Sequence, residues 1–393
     1  MKISRADDSR FAAWSFTIDH ALLSAFAALI ALGLVLSFAA SPAVAIKKGL
    51  PTYYFVERHA LFAVLSGALM LAISFLSPVG VRRLAAVLLA CAFAGLALVF
   101  MYGAEVNGAQ RWLSAGGYSI QPSEFAKPAF VVVLAWLFAE SASRHDMPAA
   151  PIAFAIWAAL AAFLILQPDI GQSALISATA GALYVLAGLS LLGAAALLAL
   201  GAGGLAAAYH YFPHVRIRFD AYFSPLTADN SQVDRATQSF AEGGWFGKGP
   251  GEGVIKSVLP DSHTDFIFAV VGEEYGVIAC LALVALFAFI VLRALFAASR
   301  EPDAAHRLAI QGLATIFGLQ ALINMGVNIG LLPAKGMTLP FISAGGSSML
   351  ALAVTAGMLL ALTRRRADPQ RLMKMRPTPP LDGYGLEGDA RAR

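Results

Sequence analysis

Long apolar runs alternate with short polar connections along most of the chain, a pattern typical of a protein that crosses a membrane repeatedly. A spanning helix needs roughly 20 apolar residues, and ten segments meet or approach that length. They lie at about 21–40, 59–77, 83–103, 124–141, 150–167, 172–188, 190–211, 268–292, 308–328 and 345–363. The run Gln167-Pro168-Asp169-Ile170-Gly171 predicts a tight turn between two helices, because Pro and Gly interrupt helices and Asp tolerates turn geometry. The predicted fold is an all-α integral membrane protein with about ten transmembrane helices.

The amino-acid composition excludes several other classes of protein. Of the 393 residues, 59% are hydrophobic and 13% are charged, against about 25% charged in soluble domains. This balance excludes a disordered chain and a secreted disulfide scaffold. A net charge of +4 from 28 basic and 24 acidic residues is too small to indicate nucleic acid binding. Cys91 and Cys280 lie inside apolar runs and are expected to be buried.

The distribution of Lys and Arg predicts the orientation, because these residues concentrate in cytoplasmic loops. It favours both termini inside, with a cytoplasmic N-terminus at 1–20, a membrane domain at 21–363 and a cytoplasmic polar tail at 364–393. The longest non-apolar stretch, 213–265, becomes a large periplasmic loop. Its aromatic residues indicate that it is ordered. The short outer connections hold fewer cations than the cytoplasmic ones, namely Lys47, Lys48, Arg58, Arg111 and Lys335.

The segment 259–268 carries the strongest candidate catalytic residue, Asp265. The apolar helix that follows reaches the cytoplasmic boundary at Arg293, so counting back about 20 residues places the outer hydrocarbon boundary near residues 273–274. Asp265 then lies at the depth of lipid headgroups. A carboxylate there can act as a general base on a sugar hydroxyl, or bind a cation that balances a diphosphate. A helix N-cap formed by Thr264 or Asp265 is the structural alternative.

Glu124 and Lys127 lie three residues apart at the start of an apolar helix and therefore share one face. Ser123 is the expected N-cap of that helix. A cation inside a membrane is costly unless it has an anionic partner. The pair therefore predicts either a structural ion pair or a site where Lys127, together with Arg111, binds an anionic headgroup.

The glycine-rich run 247–253 around Lys248 superficially resembles a nucleotide-binding loop. A Walker loop needs Ser or Thr after Gly-Lys and then a helix, whereas Gly249 and Pro250 follow here. Nucleotide binding is excluded. The backbone amides near Lys248 predict either a phosphate cradle or a plain turn.

Small residues dominate the segment 335–348, which leads into the last apolar run. They predict close backbone approach or a re-entrant turn buried in protein. Lys335 and Ser343 are its candidates for ligand contact, and tight packing alone is the alternative.

Together these four segments resemble the SEDS family (shape, elongation, division and sporulation proteins) over about residues 15–366. The runs GWFGKGPGEGVIKSVLP and HTDFIFAVVGEE are more similar to division-type than to elongation-type members. Ala344 stands where a Tyr is common, and Asp261-Ser262 replaces the more usual Glu-Ala. The resemblance implies a peptidoglycan glycosyltransferase that polymerises lipid II at the outer face of the bacterial inner membrane, with Asp265 as its essential acidic residue.

The resemblance and the residues together define an expected site. Asp265 removes the proton of the acceptor 4-hydroxyl, which attacks the donor anomeric carbon with inversion while undecaprenyl diphosphate leaves. A divalent cation, magnesium or manganese, is the cofactor to consider, although the sequence shows no acidic cluster for a dedicated metal cage. The expected substrate-binding residues are Arg111, Glu124, Lys127, Lys248, His263, Lys335 and Ser343.

The resemblance also implies a setting and partners. The setting is the division septum, and the partners are a class B penicillin-binding protein, which is the crosslinking transpeptidase, and other divisome proteins. Small residues at 351, 353 and 357 and in the 190–211 segment are expected to let a partner helix approach closely. The alternatives are an elongation-type polymerase, a lipid II flippase and a scaffold. A flippase would need polar residues through the membrane depth, whereas most ionisable residues here cluster near the outer face.

Overall fold

The computed structural model describes residues 9–106, 109–144, 146–213, 215–217, 220, 228–332 and 336–365. The chain divides into two units, one formed by Met1–Thr17 with Arg364–Arg393 and the other by Ile18–Thr363. In the first unit, helix α1 spans Arg10–Thr17. Most of the predicted polar tail, residues 366–393, lies outside the described residues, as do residues 1–8.

The larger unit is a bundle of apolar helices. Among the described residues, eight helices are long and apolar enough to cross a membrane, and two further apolar helices, Ile170–Leu186 and Gly346–Leu362, are shorter. The multi-pass membrane architecture is therefore confirmed, while the exact count of ten crossings stays a prediction. The apolar helices are α2 (His20–Lys47), α3 (Tyr54–Ser74), α4 (Pro78–Tyr102), α5 (Pro122–Ser143), α6 (Ala149–Leu166), α7 (Ile170–Leu186), α8 (Leu191–Tyr211), α10 (Ile267–Ala298), α11 (Ala304–Asn328) and α12 (Gly346–Leu362).

The helices begin where the sequence supplies capping groups. Asp19 accepts hydrogen bonds from the first amides of α2, and Ser77 caps α4 ahead of Pro78 at the first helical position. The predicted turn between α6 and α7 is present, and Asp169 caps α7. The expected cap at Ser123 is wrong, because α5 begins one residue earlier at Pro122 and its N-cap, Gln121, makes no side-chain cap bond.

The connection from α4 to α5 folds into a small antiparallel sheet with the order β1-β2-β3. β1 (Ala104–Val106) pairs with β2 (Ala109–Ala115), which pairs with β3 (Tyr118–Ile120). Because the helices on both sides are apolar and this connection is polar, the sheet lies at one end of the bundle. We call that end, which also holds Asp265 and the first turns of α5, α10 and α12, the site end.

Helices α5, α11 and α12 form the interior of the bundle, whereas α3, α4 and α6 expose apolar side chains on much of their surface. This arrangement corrects one expectation. Ala351, Ala353 and Gly357 of α12 are buried inside the bundle, with Gly357 against Met70 and Ile73 of α3, so they offer no surface to a partner helix. Cys280 is buried as expected, but Cys91 is exposed on α4.

Two glycines allow backbone segments to meet inside the site end. Gly276 has a φ of 78° and breaks α10 into two helical pieces. A side chain there would collide with the carbonyl of Trp245. Gly33 of α2 lies against the carbonyl of Phe341, whose ring packs in the bundle with Phe26 and Phe317. The predicted re-entrant turn before α12 is therefore buried in protein.

The long segment before α10 contains helix α9 (Ala228–Gly243) and one 3-10 turn at Ile255–Ser257. Its described part is thus ordered, as the aromatic content predicts. Residues 214, 218–219 and 221–227 of this segment lie outside the described residues.

Candidate functional site

Asp265 lies in the turn immediately before α10. Helix α10 begins at Ile267 with Phe266 as its N-cap, and no side-chain cap bond is made there. The capping alternative is therefore not supported for Asp265 or Thr264. In the described part of the chain, no group donates a hydrogen bond to the Asp265 carboxylate, which is partly buried. This carboxylate is thus available for chemistry.

Two amide side chains of α11 hold the backbone at Asp265. Asn324 and Asn328 both donate from Nδ2 to the Asp265 carbonyl oxygen at 2.9 Å. The Asn328 Oδ1 accepts from the Ala269 amide at 3.0 Å, and Asn324 also donates to the Met337 carbonyl at 2.6 Å. Asn328 therefore fixes the Asp265 turn to the start of α10, and Asn324 fixes it to the re-entrant turn.

The re-entrant turn braces Asp265 from the other side. Ser343 donates its hydroxyl to the Thr264 carbonyl at 2.6 Å and accepts from the Leu339 amide at 2.8 Å. The Ala344 amide donates to the His263 carbonyl at 2.9 Å. A Cβ added to Gly336 would lie 3.7 Å from the Asp265 Oδ2. Ser343 is therefore adjacent to the catalytic candidate, and its hydroxyl is engaged in holding the turn.

The surroundings make Asp265 a weaker acid than usual. Burial, together with the carboxylates of Asp261 and Asp169, raises the pKa of Asp265 to about 7 against the opposing effect of the Arg111 guanidinium. A carboxyl with a pKa near neutrality is ionised in a useful fraction of molecules and still binds a proton well. Such a shift in a partly buried turn is typical of a functional acid or base.

Arg111 projects from β2 towards the turn between α6 and α7. Its Nε donates to the Gln167 carbonyl at 3.1 Å, its guanidinium also bonds the Pro168 carbonyl, and it lies 3.6 Å from the Asp169 carboxylate. The Arg111 side chain is still 15% exposed. It therefore combines a fixed position with access to the site end.

Glu124 and Lys127 form the predicted ion pair at 2.9 Å, and both are buried. Lys127 also donates to the Gln320 Oε1 at 2.8 Å, while Glu124 accepts from the Gln172 Nε2 at 2.6 Å. Gln320 in turn donates to the Thr338 carbonyl at 3.1 Å. The pair thus links α5, α7 and α11 to the re-entrant turn beneath the surface of the site.

The glycine-rich run is held by two carboxylates of α10. Glu273 accepts from the amides of Val254, Ile255 and Lys256 at 2.6, 2.8 and 3.1 Å. Glu274 accepts from the Gly251 amide at 3.0 Å and pairs with the Lys256 ammonium. The amides of Lys248 and Gly249 donate to the backbone carbonyls of Glu273 and Glu274 at 2.9 and 3.0 Å, so the run and the residues that follow it form a clamped turn whose named amides are engaged within the protein.

The remaining predicted residues occupy different positions. Lys248 lies in a partly exposed ion pair with Glu242 at 2.6 Å. His263 is buried with its ring 4.7 Å from that of Phe55. Burial and the nearby Lys48 lower the pKa of His263 to about 4, against the opposing effect of Asp261, so it is neutral at pH 7. Lys335 lies outside the described residues.

Reasoning from sequence missed several residues of the site. Gln320, Asn324 and Asn328 recur every four residues in an otherwise apolar helix, a spacing that places them on one face and that could have identified them. Lys48 and Arg58 served only to predict orientation. In the structure, Lys48 lies 5.5 Å from the Phe55 ring centroid and Arg58 lies 5.5 Å from that of Tyr118, beside the site.

The described residues contain no group of three or more His, Cys, Asp or Glu side chains that could hold a metal ion. Magnesium, however, often binds through one or two carboxylates and the phosphates of a substrate. Among the described residues, Asp265 and the nearby Asp261 are therefore the carboxylates that a cation carried by a substrate phosphate would meet.

Comparisons of this chain with a family model, with named relatives and with solved structures agree with one another. A family model described as "Cell cycle protein", covering FtsW, RodA and SpoVE, matches residues 20–368. A Caulobacter vibrioides protein named "Probable peptidoglycan glycosyltransferase FtsW" is 44% identical over 92% of this chain and 93% of its own length. A Halorhodospira halophila protein of the same name is 38% identical over 92% of this chain and 95% of its own length.

Solved structures agree. A chain from a structure described as "Structural coordination of polymerization and crosslinking by a peptidoglycan synthase complex" superposes with a TM-score of 0.72 and 28% identity, covering 88% of this chain and 97% of that one. The rod shape determining protein RodA of Thermus thermophilus superposes with a TM-score of 0.64 and 27% identity, covering 88% and 96%.

Proposed function

Because the chain belongs to the family of FtsW, RodA and SpoVE cell cycle proteins, we propose that it is a peptidoglycan glycosyltransferase that polymerises lipid II during septal cell-wall synthesis. The observation that carries the proposal is the Asp265 carboxylate, which has a pKa raised to about 7 and a backbone fixed by two asparagines. The names of the relatives support a glycosyltransferase of the division type.

In the proposed reaction, Asp265 acts as the general base. The proton of the acceptor 4-hydroxyl moves to the Asp265 carboxylate while the hydroxyl oxygen forms a bond to the anomeric carbon of the donor. The bond from that carbon to the diphosphate oxygen breaks, and undecaprenyl diphosphate leaves with the electron pair. Attack from the face opposite the leaving group inverts the anomeric centre. The diphosphate is a stable anion, so its departure needs no second carboxyl as general acid.

Cations near the site end offset the charge of the diphosphate. Arg111 is the residue we assign to direct contact, since it is fixed and still partly exposed. Lys48 and Arg58 add positive charge at the rim. Lys127, which is buried and paired, acts by positioning Glu124 and Gln320.

A divalent cation, magnesium or manganese, enters this proposal together with the substrate. Asp265 and the nearby Asp261 are the carboxylates that would meet it. When bound, it would supply further positive charge to the diphosphate. The steps assigned to Asp265 and Arg111 do not depend on it.

We also propose the cellular setting. The site end faces the periplasm, both termini lie in the cytoplasm, and the protein resides in the inner membrane at the division septum. The likeness to a chain of a peptidoglycan synthase complex supports a stable partner, and we propose that this partner is a class B penicillin-binding protein within the divisome.

Substitution of Asp265 tests the assignment. Purified Asp265→Asn with lipid II should make glycan polymer at least about a hundredfold more slowly than the parent protein, the range expected for loss of a general base. Asp234→Asn is the matched control, because it removes an exposed carboxylate of α9 to which the proposed reaction assigns no role. Near-normal polymerisation by Asp265→Asn would refute the base assignment.

The same variant should fold at least as well as the parent. Burial raises the pKa of Asp265 above its unfolded value, so ionised Asp265 destabilises the folded state at high pH. Asn removes that cost. Thermal unfolding at pH 8 should therefore occur at a higher temperature in Asp265→Asn, with the gain shrinking as the pH falls towards 4. A lower unfolding temperature at pH 8 would indicate a structural role instead.

A further inference from the structure

A cavity lies at the end of the bundle opposite Asp265. Its volume is about 120 Å³, which corresponds to roughly four water molecules at about 30 Å³ each. It is formed by the first turns of α4 and α11 and the last turns of α5 and α12. Its lining includes the charged or aromatic residues Arg82, Trp136, Glu140, Asp303 and His306.

The cavity joins a charged rim to an apolar floor. Val132, Ala309 and Leu362 contribute the apolar part, and all three are buried. Val79 lines the cavity and is 45% exposed. Trp136 lies seven residues before the end of α5, about 10 Å along the helix, and Trp side chains are enriched where spanning helices cross a membrane interface. The occupant is therefore expected at the boundary between headgroups and acyl chains.

The two signs of charge meet at Trp136. The Arg82 guanidinium lies 5.3 Å from the Trp136 ring centroid, and the Trp136 Nε1 donates to the Glu140 carboxylate at 3.1 Å. Within the described residues, no carboxylate lies within 4.0 Å of the Arg82 guanidinium, so its donors are open to an anion. The first turns of α4 and α11 add the positive ends of two helix dipoles.

Glu140 supplies the complementary anion. Its described ion pair is with Arg144 at 3.4 Å, and the Arg144 side chain is 65% exposed. Exposed pairs of this kind contribute little, so Glu140 can accept a second cation. A ligand that carried only negative charge would meet Glu140 and Asp303 as well as Arg82. The cavity therefore suits a ligand with one anionic and one cationic group.

We propose that this cavity binds the headgroup of a phospholipid with a phosphate and a primary ammonium, the chemistry of phosphatidylethanolamine. Its phosphate contacts Arg82, its ammonium contacts Glu140, and its acyl chains follow the exposed surface beside Val79. The proposal requires only that the bundle spans a membrane and does not depend on the reaction assigned to Asp265.

Native mass spectrometry on the purified, delipidated protein tests this inference. Short-chain phosphatidylethanolamine, phosphatidylglycerol and phosphatidylcholine are added separately and the bound fractions are compared. The ethanolamine lipid should bind about tenfold more tightly than either other lipid, the effect expected from one additional charge-assisted hydrogen bond. Equal binding of the three lipids, or none, would overturn the proposal.

Variants separate the two contacts. Arg82→Gln and Glu140→Gln should each weaken phosphatidylethanolamine binding about tenfold. Arg83→Gln is the matched control, because Arg83 has the same charge at the adjacent position but does not line the cavity. Equal losses in Arg83→Gln, or full binding by Glu140→Gln, would refute the inference. Thermal unfolding without lipid shows whether each variant folds, and the headgroup series on the parent protein decides the question if one does not.

Discussion

At the scale of single residues, the proposed general base is the Asp265 carboxyl. Its raised pKa makes it reactive near neutral pH and lowers the folding stability of the protein at high pH. The Asp265 side chain receives no hydrogen bond from the described residues, and its pKa is raised by burial and by two neighbouring carboxylates. Among the described residues, the Arg111 guanidinium opposes that shift. An acid held near neutral pKa in this way is sensitive to each neighbouring charge, so its environment can be tested one charge at a time.

The pH dependence of polymerisation follows from the pKa of about 7. A general base works only when it is ionised, so the rate should fall below pH 7, to about a tenth of its plateau at pH 6. Asp261→Asn removes a charge that raises the pKa of Asp265, and the acid limb of its profile should therefore move to lower pH. Initial rates with lipid II from pH 5 to 9 measure both effects. An acid limb below pH 5 in the parent protein would contradict the assigned base.

The buried pair of Glu124 and Lys127 makes a second prediction at this scale. Lys127→Met leaves the Glu124 charge unpaired inside the bundle, which should cost roughly 3 kcal/mol. The double variant Glu124→Gln with Lys127→Met removes both charges and should recover most of that loss. Thermal unfolding of the four proteins in the cycle measures it. A double variant as unstable as Lys127→Met would show that the pair is not what stabilises this region.

At the scale of elements, α11 connects the buried pair to the catalytic turn. Gln320, Asn324 and Asn328 lie four residues apart on one face of this helix. Gln320 links Lys127 to the re-entrant turn. Asn324 links the re-entrant turn to Asp265, and Asn328 links Asp265 to the start of α10. The helix therefore serves as a positioning element for a base that lies outside it.

Removing one of these amides should reduce catalysis more than binding. Asn328→Ala leaves the Ala269 amide and part of the Asp265 carbonyl unsatisfied, which should cost about 1–3 kcal/mol. If the turn shifts, kcat should fall while KM for lipid II changes little. Gln311→Ala on the same helix is the control, because Gln311 makes no described contact with the turn. An equal fall in kcat in the control would point to a general loss of α11 stability.

The sequence predicted the apolar helices and the turn before α7, because hydrophobic runs and Pro-Asp-Ile-Gly are local signals. It offered the Glu124–Lys127 ion pair and the buried re-entrant turn only as alternatives, and the structure contains both. It did not reveal the small sheet that carries Arg111, whose strands are only 3 to 7 residues long. It also left the roles of Glu273 and Glu274 open, because the amides that they accept from lie 17 to 23 residues away, at 251 and 254–256. Contacts between distant segments of the chain produce no regular spacing in the sequence from which they could be predicted.

At the scale of the whole molecule, the two ends of the bundle carry different chemistry. The site end gathers Asp265, Arg111 and the clamped glycine-rich run, while the opposite end holds the cavity around Trp136. Helices α5 and α11 contribute to both ends.

The site end also exposes apolar side chains on a segment that is not a spanning helix. Trp245 is 65% exposed and Phe246 is 83% exposed, and Val254 and Val258 are exposed nearby. Their backbone is fixed against Gly276 and the two clamping carboxylates, so the patch is presented on a rigid support. Exposed apolar residues grouped in this way are typical of a protein interface.

We expect this patch, whose backbone is bonded to residues 277 and 278 at the outer hydrocarbon boundary, to contact the membrane-proximal part of the proposed penicillin-binding partner. Trp245→Ser and Phe246→Ser should each weaken the complex about tenfold, since large aromatic residues contribute most of the energy in such interfaces. Co-purification in mild detergent and stimulation of polymerisation by the partner measure this, and polymerisation without the partner should be unchanged. Tyr211→Ser, at another exposed aromatic residue of the site end, is the matched control. If all three variants bind and respond to the partner normally, the partner contacts a different surface.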